Sequence, residues 1–194
     1  MITSLMFGGT TSNVLSMIAL AILFFGGLWL CMAFWGWIRK APWKGNRAMK
    51  KAMEEFRSIL DTASPEFEAI SESDSSDKPV PDKWSKKEIL GHLIDSAANN
   101  HQRFVRAQLS AELKMPEYEQ QLWVDTQRYQ QESWVNIVRL WKSYNLHLLH
   151  LVASIPETAL HNYCFIGDNE PVTLEFLVED YVKHLKHHVE QILE

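Results

Sequence analysis

The chain has 194 residues, 46% of them hydrophobic, which suits one domain with an appendage and excludes a wholly disordered polypeptide. Its 19 basic and 24 acidic side chains leave a net charge of −5, which excludes a nucleic-acid binder held chiefly by phosphate contacts, and two cysteines exclude a dense disulfide scaffold. The average conceals a division: residues 1–38 contain no Asp, Glu, Lys, Arg or His, and every acidic residue lies at or beyond Glu54. The first 48 residues hold four basic side chains and no acidic one, so the charge divides into +4 there and −9 over residues 49–194.

Residues 14–38 form an uncharged, mostly apolar run. About 20 such residues suffice for a helix to cross the hydrocarbon core. Trp29, Trp35, Trp37 and Trp43 gather towards its end, where indoles suit the membrane interface, and Arg39, Lys40, Lys44, Arg47, Lys50 and Lys51 follow. The pattern predicts a single transmembrane helix over about 14–38, with the amino terminus outside and the remainder in the cytoplasm. A signal peptide would need a basic start, and a buried core helix would be shorter. A competing expectation is translation from Met49, with codons for Lys44-Gly45 able to form a ribosome-binding site, which gives a cytoplasmic protein. The predicted domains are 1–48, a hydrophobic segment with a basic flank, and 49–194, an acidic domain.

The acidic domain reads as helical. Met53, Phe56, Leu60, Ala63, Phe67 and Ile70 recur every three or four residues as one apolar stripe. Pro65 either kinks this first helix or ends it, with Ser64 capping a restart. Ser71 to Lys83 is polar, holds Pro79 and Pro81, and reads as a loop. Ser85-Lys86-Lys87-Glu88 fits a capping box, with Trp84 and Ile89 placed as a hydrophobic staple. The second helix should run from there to about Ser110. Ala111 to Gln131 is a long connection. The third helix carries Trp134, Ile137, Trp141, Tyr144, Leu148, Leu151 and Ile155 on one stripe, and Gly167-Asp168-Asn169 marks a turn able to join two short strands. The fourth starts at Thr173, a suitable cap, with Glu175 in its first turn. These elements predict an all-α fold, a four-helix bundle preceded by the transmembrane helix.

Histidine is the commonest metal ligand, and the chain has His92, His101, His147, His150, His161, His184, His187 and His188. His184 and His188 follow the inward stripe of the fourth helix one turn apart, close enough to share an ion. A hydrogen-bonded pair of core histidines is the alternative. Leu185 follows His184, so this is not the His-Glu-x-x-His pattern of a metalloprotease. His92 lies early in the second helix, and in an antiparallel bundle it could level with the late pair and complete a three-histidine site. Three neutral imidazoles would leave positions open for water or a thiolate. His101 lies half a turn away from His92 and should not share its ion. His147 and His150 suit packing or surface roles, His187 the wetter face, and His161 a loop.

At these residues the sequence resembles the DinB/YfiT-like superfamily. Trp84-Ser85-Lys86-Lys87-Glu88-Ile89-Leu90-Gly91-His92-Leu93-Ile94-Asp95-Ser96 is similar to its second-helix signature. His184, His187 and His188, followed by Glu190-Gln191-Ile192, are similar to its fourth-helix signature. The likeness runs from about Met49 to Glu194. It implies a four-helix bundle holding a divalent metal, zinc or nickel, through His92, His184 and His188. It also implies relatives that use small-molecule thiols as transferases or isomerases. Asp95 and Asn99, near His92, are candidates for orienting the ligands from behind, against the plainer reading of surface polar residues.

The expected function is that of a divalent-metal-dependent enzyme, a thiol-dependent S-transferase or a related hydrolase, with a small-molecule thiol and an electrophile as partners. The alternative is a non-catalytic, membrane-tethered binding or stress-response module with a vestigial metal site. No nucleic-acid partner is expected, because the domain carries −9 and no basic face. A homo-oligomer is compatible with the sequence. The separated Cys31 and Cys164 suit a reducing compartment.

Overall fold

The structure is a computed structural model that describes residues 47–78, 80, 81 and 83–194. Four long helices make its frame: α1 (Arg47–Ala69), α3 (Lys86–Ala107), α5 (Trp134–Ala153) and α6 (Leu174–Leu193). Helix α1 continues through Pro65 rather than stopping. The Ser64 hydroxyl donates to the Leu60 carbonyl at 2.6 Å, so it turns back into the helix instead of capping a new one.

Helix α3 packs against both α5 and α6, and α1 packs against the same two. The first and second long helices therefore face each other across the bundle, with the third and fourth between them. Lys86, at the start of α3, donates to the Ile192 carbonyl near the end of α6, so these neighbours run antiparallel. Aromatic rings fill the centre. Phe67 meets Trp141 at a centroid distance of 5.0 Å and Trp134 at 6.0 Å, and Tyr181 meets Phe56 at 5.6 Å and Phe104 at 5.9 Å. Two of the buried polar ends are satisfied: Trp134 Nε1 donates to the Phe67 carbonyl at 2.7 Å, and the Tyr181 hydroxyl donates to Asn145 Oδ1, while Trp141 Nε1 has no partner among the described residues.

The capping box at Ser85 is present in full. Ser85 Oγ accepts from the Glu88 amide at 3.2 Å, and Glu88 Oε2 accepts from the Ser85 amide at 2.8 Å. Helix α3 ends at Ala107, three residues short of the expected Ser110.

Two connections differ from expectation. The polar stretch after α1 holds a one-turn helix, α2 (Glu72–Ser76), because Ser71 caps it and Glu72 and Asp74 occupy its positive end. Glu72 also accepts from Lys87 and from the Trp134 amide, bracing α2 against α3 and α5. The fold is mostly helical rather than purely so. Strand β1 (Glu112–Met115) precedes α4 (Gln120–Gln127) in the connection read as irregular, and β2 (Tyr163–Ile166) and β3 (Val172–Thr173) flank the Gly167 turn. The sheet order is β1-β2-β3, with β1 and β2 parallel and β2 and β3 antiparallel. Gly167 takes φ 60°, which a glycine adopts without strain. The antiparallel pair was expected; β1 escaped because its partner lies some fifty residues onward.

The expected membrane placement is corrected. Among the described residues no helix is long and apolar enough to cross a membrane. The longest, α1, carries Lys50, Lys51, Glu54, Glu55 and Arg57 around a single apolar stripe, as a helix does when only one side is buried. Residues 14–38, and with them the expected transmembrane helix and its membrane contact, lie outside the described residues.

Candidate metal centre

The site lies where the first turns of α3 meet the last turns of α6. His92 enters two turns after the capping box and is wholly buried, whereas His184 and His188 are half-buried. One ring nitrogen from each of the three lies within 4.8 Å of the others, and no other set of three or more His, Cys, Asp or Glu converges in this way among the described residues. Nε2 of His92 is 3.0 Å from Nε2 of His184. Two imidazoles sharing a tetrahedral zinc-like ion place their nitrogens roughly 3.3 Å apart, from bond lengths near 2.0 Å, so the spacing fits a common ion.

The partners behind the rings help to set the tautomers. Gln191 Oε1 accepts from His188 Nδ1 at 2.9 Å, which puts the proton there and leaves the lone pair on Nε2. His184 Nδ1 has a long contact, 3.5 Å, with the Ser96 hydroxyl. His92 Nδ1 is buried with no hydrogen-bond partner among the described residues. Trp84 lies against the His92 ring at 5.1 Å, and its Nε1 donates to Gln121 Oε1 at 3.1 Å. Trp84 thus ties the ring to the start of α4.

Electrostatics keep all three rings neutral. Burial, reinforced by His184 and His188, pushes His92 down to about 3. Burial followed by the neighbouring His188 and His187 lowers His184 to about 4. Burial also lowers His188, against the opposing pull of Gln191. Neutral imidazole is the form that ligates a metal. The set of three neutral nitrogens, one ring fully buried with an orphaned atom and two reached by solvent, fits a divalent ion of the borderline class with open coordination positions.

The remaining sequence candidates fall as follows. Asp95 is buried on α3, and its Oδ1 accepts from the Tyr129 hydroxyl at 2.7 Å and from Gln127. Its Oδ2 has no partner among the described residues, and burial pushes the carboxyl up to about 6 against the Tyr129 hydrogen bond. Asn99 donates to the Asp95 carbonyl at 2.9 Å. Neither side chain hydrogen-bonds an imidazole. His101 lies on the α5 side, 3.1 Å from the Tyr144 hydroxyl and ring to ring with His147 at 5.2 Å. His150, His161 and His187 are exposed.

Sequence reasoning did not single out Gln191, Trp84 or Tyr129 for the site. Gln191 had a signal in its i+3 spacing from His188. Tyr129 had a fainter one in Gly91: a Cβ at that position would lie 2.1 Å from the Tyr129 ring, so only glycine lets the ring reach Asp95.

Comparisons with known proteins agree with this architecture. A search of curated proteins finds no match. Among solved structures, the chain is similar to YfiT from Bacillus subtilis, described as a probable metal-dependent hydrolase with an unusual four-helix bundle topology. The TM-score is 0.69 at 17% identity, covering 79% of this chain and 89% of YfiT. It is also similar to the mycothiol-dependent maleylpyruvate isomerase, with a TM-score of 0.64 at 10% identity, covering 74% of this chain and 60% of the isomerase. A single-residue variant of the isomerase matches equally broadly, at TM-score 0.63 and 9% identity. The chain thus spans about three fifths of the isomerase's length, and at these identities the likeness is one of fold. The family model described as the DinB superfamily matches residues 50–192, and the chain belongs to that superfamily.

Proposed function

We propose that this chain is a divalent-metal-dependent enzyme whose ion is held by His92, His184 and His188. The activity we assign is transfer to or from a small-molecule thiol, or a related hydrolysis. The observation that carries the reading is the convergence of three buried or half-buried ring nitrogens within 4.8 Å. The description of YfiT as a probable metal-dependent hydrolase supports the hydrolytic option, and that of the isomerase as mycothiol-dependent supports the use of a thiol.

A bound divalent ion would lower the pKa of a water or thiol and so supply a nucleophile near neutral pH. The chain's own residues prepare the place. Gln191 fixes the His188 ring, and Trp84 covers one face of His92. Asp95, with Oδ1 engaged by Tyr129 and Gln127, takes up a proton at Oδ2 near pH 6.

Elemental analysis of purified protein tests the reading. One divalent ion per chain, lost in His184→Ala, is the expected result. Absence of metal, or equal metal in the variant, overturns it. Metal without turnover across a panel of thiols and electrophiles would favour a non-catalytic binding module.

A further inference from the structure

The face of α3 that begins with His92 continues through Ser96 and Asn100 to Arg103. Across from it α6 sets His188 beside His92 and His184 beside His92 and Ser96, with Asp180 within electrostatic reach of Arg103. Asn100 lies eight residues beyond His92, roughly 12 Å along the axis. Side chains on a helix lean towards its amino-terminal end, so Arg103 leans back to the level of Asn100. Arg103 Nη1 accordingly reaches Asn100 Oδ1 at 3.5 Å.

That arginine is under-used. It forms no ion pair within 4.0 Å among the described residues. Its Nε is buried with no hydrogen-bond partner among them. A buried N–H without an acceptor is rare, and a guanidinium in this state offers its planar fork to an absent one. Glu117 and Asp180 act on Arg103 only across a distance, neither coming within 4.0 Å, and Glu117 is itself bonded to Asn169. Tyr118, half-buried in the connection after β1, sits beside the Ser96 hydroxyl and within electrostatic reach of Arg103. Arginine stays cationic even when burial lowers its pKa, as it does here.

We infer that Arg103, flanked by Asn100 and Tyr118, is the far end of a substrate site that starts at the three histidines, and that it binds the carboxylate of an anionic small-molecule substrate. The inference rests on the metal-centre reading above and names its substrate class. The reacting end lies at His92, His184 and His188, and the carboxylate lies roughly 6–12 Å along α3 from them, one to two helical repeats of four residues. Arg103 is a positioning residue; it does not touch the reacting atoms.

The test uses the full chain loaded with zinc and two probes that differ only at one end, mercaptohexanoate and mercaptohexanol. Calorimetry measures binding, and heteronuclear NMR follows the Arg103 Nε–H resonance. The carboxylate should bind at least about tenfold tighter, as a charge-assisted fork contact allows, and should shift that resonance. Arg103→Gln should bring the carboxylate to the affinity of the alcohol and leave the alcohol unchanged, with Arg103→Lys in between. Equal affinities in the unmodified chain overturn the inference. So does a preference that survives Arg103→Gln, or no binding of either probe at millimolar concentration. If Arg103→Gln fails to fold, the resonance shift and Arg103→Lys decide. A chain that takes up no zinc fails the metal-centre reading instead. In that metal-free chain the shift with mercaptohexanoate still decides the Arg103 subsite.

Discussion

Helix α3 presents histidines on two sides, and only one side looks like a ligand set. Towards α6, His92 meets His184 and His188 with nitrogens converging, in a place dry enough to hold the rings neutral. Towards α5, His101 meets His147 edge to face at 78°, and its Nδ1 is engaged by the Tyr144 hydroxyl. Burial and His147 lower His101 as well, yet no third donor joins the pair among the described residues. A count of histidines, or even their proximity, is therefore a poor guide. What distinguishes the α6 side is one nitrogen from each of three rings within 4.8 Å of the others, with Gln191 and, at longer range, Ser96 on the opposite ring nitrogens of His188 and His184.

The largest effect should come from removing a converging ring. His92→Ala or His184→Ala should reduce metal content from about one ion per chain to near zero, whereas His101→Ala and His147→Ala should leave it unchanged. Elemental analysis of all four separates the two sides; metal loss in a His101 variant would break the comparison.

Acid titration comes next. In the metal-free protein, His92 and His184 have folded pKa values depressed below the ordinary 6.5. The unfolded chain binds more protons in that range, so the stability they contribute is present above pH 6.5 and lost as pH falls through about 4 and then about 3. Asp95 acts with the opposite sign: raised to about 6, its contribution is present below its ordinary 3.8 and lost as pH rises through 6. Thermal denaturation from pH 7 to 4 should show falling stability. His92→Gln should flatten that slope more than His101→Gln.

A smaller change should follow Gln191→Ala. Loss of an orienting partner typically costs about 10–100-fold in metal affinity without abolishing binding. Competition with a chelator measures it. Smallest in its effect on the ion, Gly91→Ala should destabilise the fold by about 1–3 kcal/mol through overpacking against Tyr129 and should leave metal stoichiometry intact. Urea unfolding checks the first part and elemental analysis the second.

Much of this was legible in the sequence because it is encoded locally. Ser85 and Glu88 mark the start of α3 within four residues, Thr173 caps α6, and the i, i+4 spacing of His184 and His188 puts both on one face. The link to His92 came from the bundle topology and the family signature. What stayed hidden depends on distant residues. Glu112–Met115 is too short and polar to read as a strand until Tyr163–Ile166 lies beside it. The short helix after Ser71 was masked by the prolines beyond it. Arg103 resembles any helix-surface arginine until its neighbours show that nothing accepts from its Nε. The membrane expectation had another weakness: it rested on composition in residues 14–38, separate from the bundle's own helices.

The parallel pairing of β1 with β2 bears on the order in which the molecule assembles. Strands running the same way cannot meet through a tight turn, and here the loop between them contains all of α4 and α5. Their contacts must wait until α5 is docked, which makes them slow to form and dependent on the bundle. Tyr118 lies three residues beyond β1, between that ladder of four residue pairs and its own contacts with Trp123 of α4 and Ser96 of α3. Such a segment opens at lower free energy than the frame around it. The histidines and Arg103 share the frame helix α3, whereas the β1 segment beside them can open separately, so hydrogen exchange should be faster across residues 112–118 than across α3.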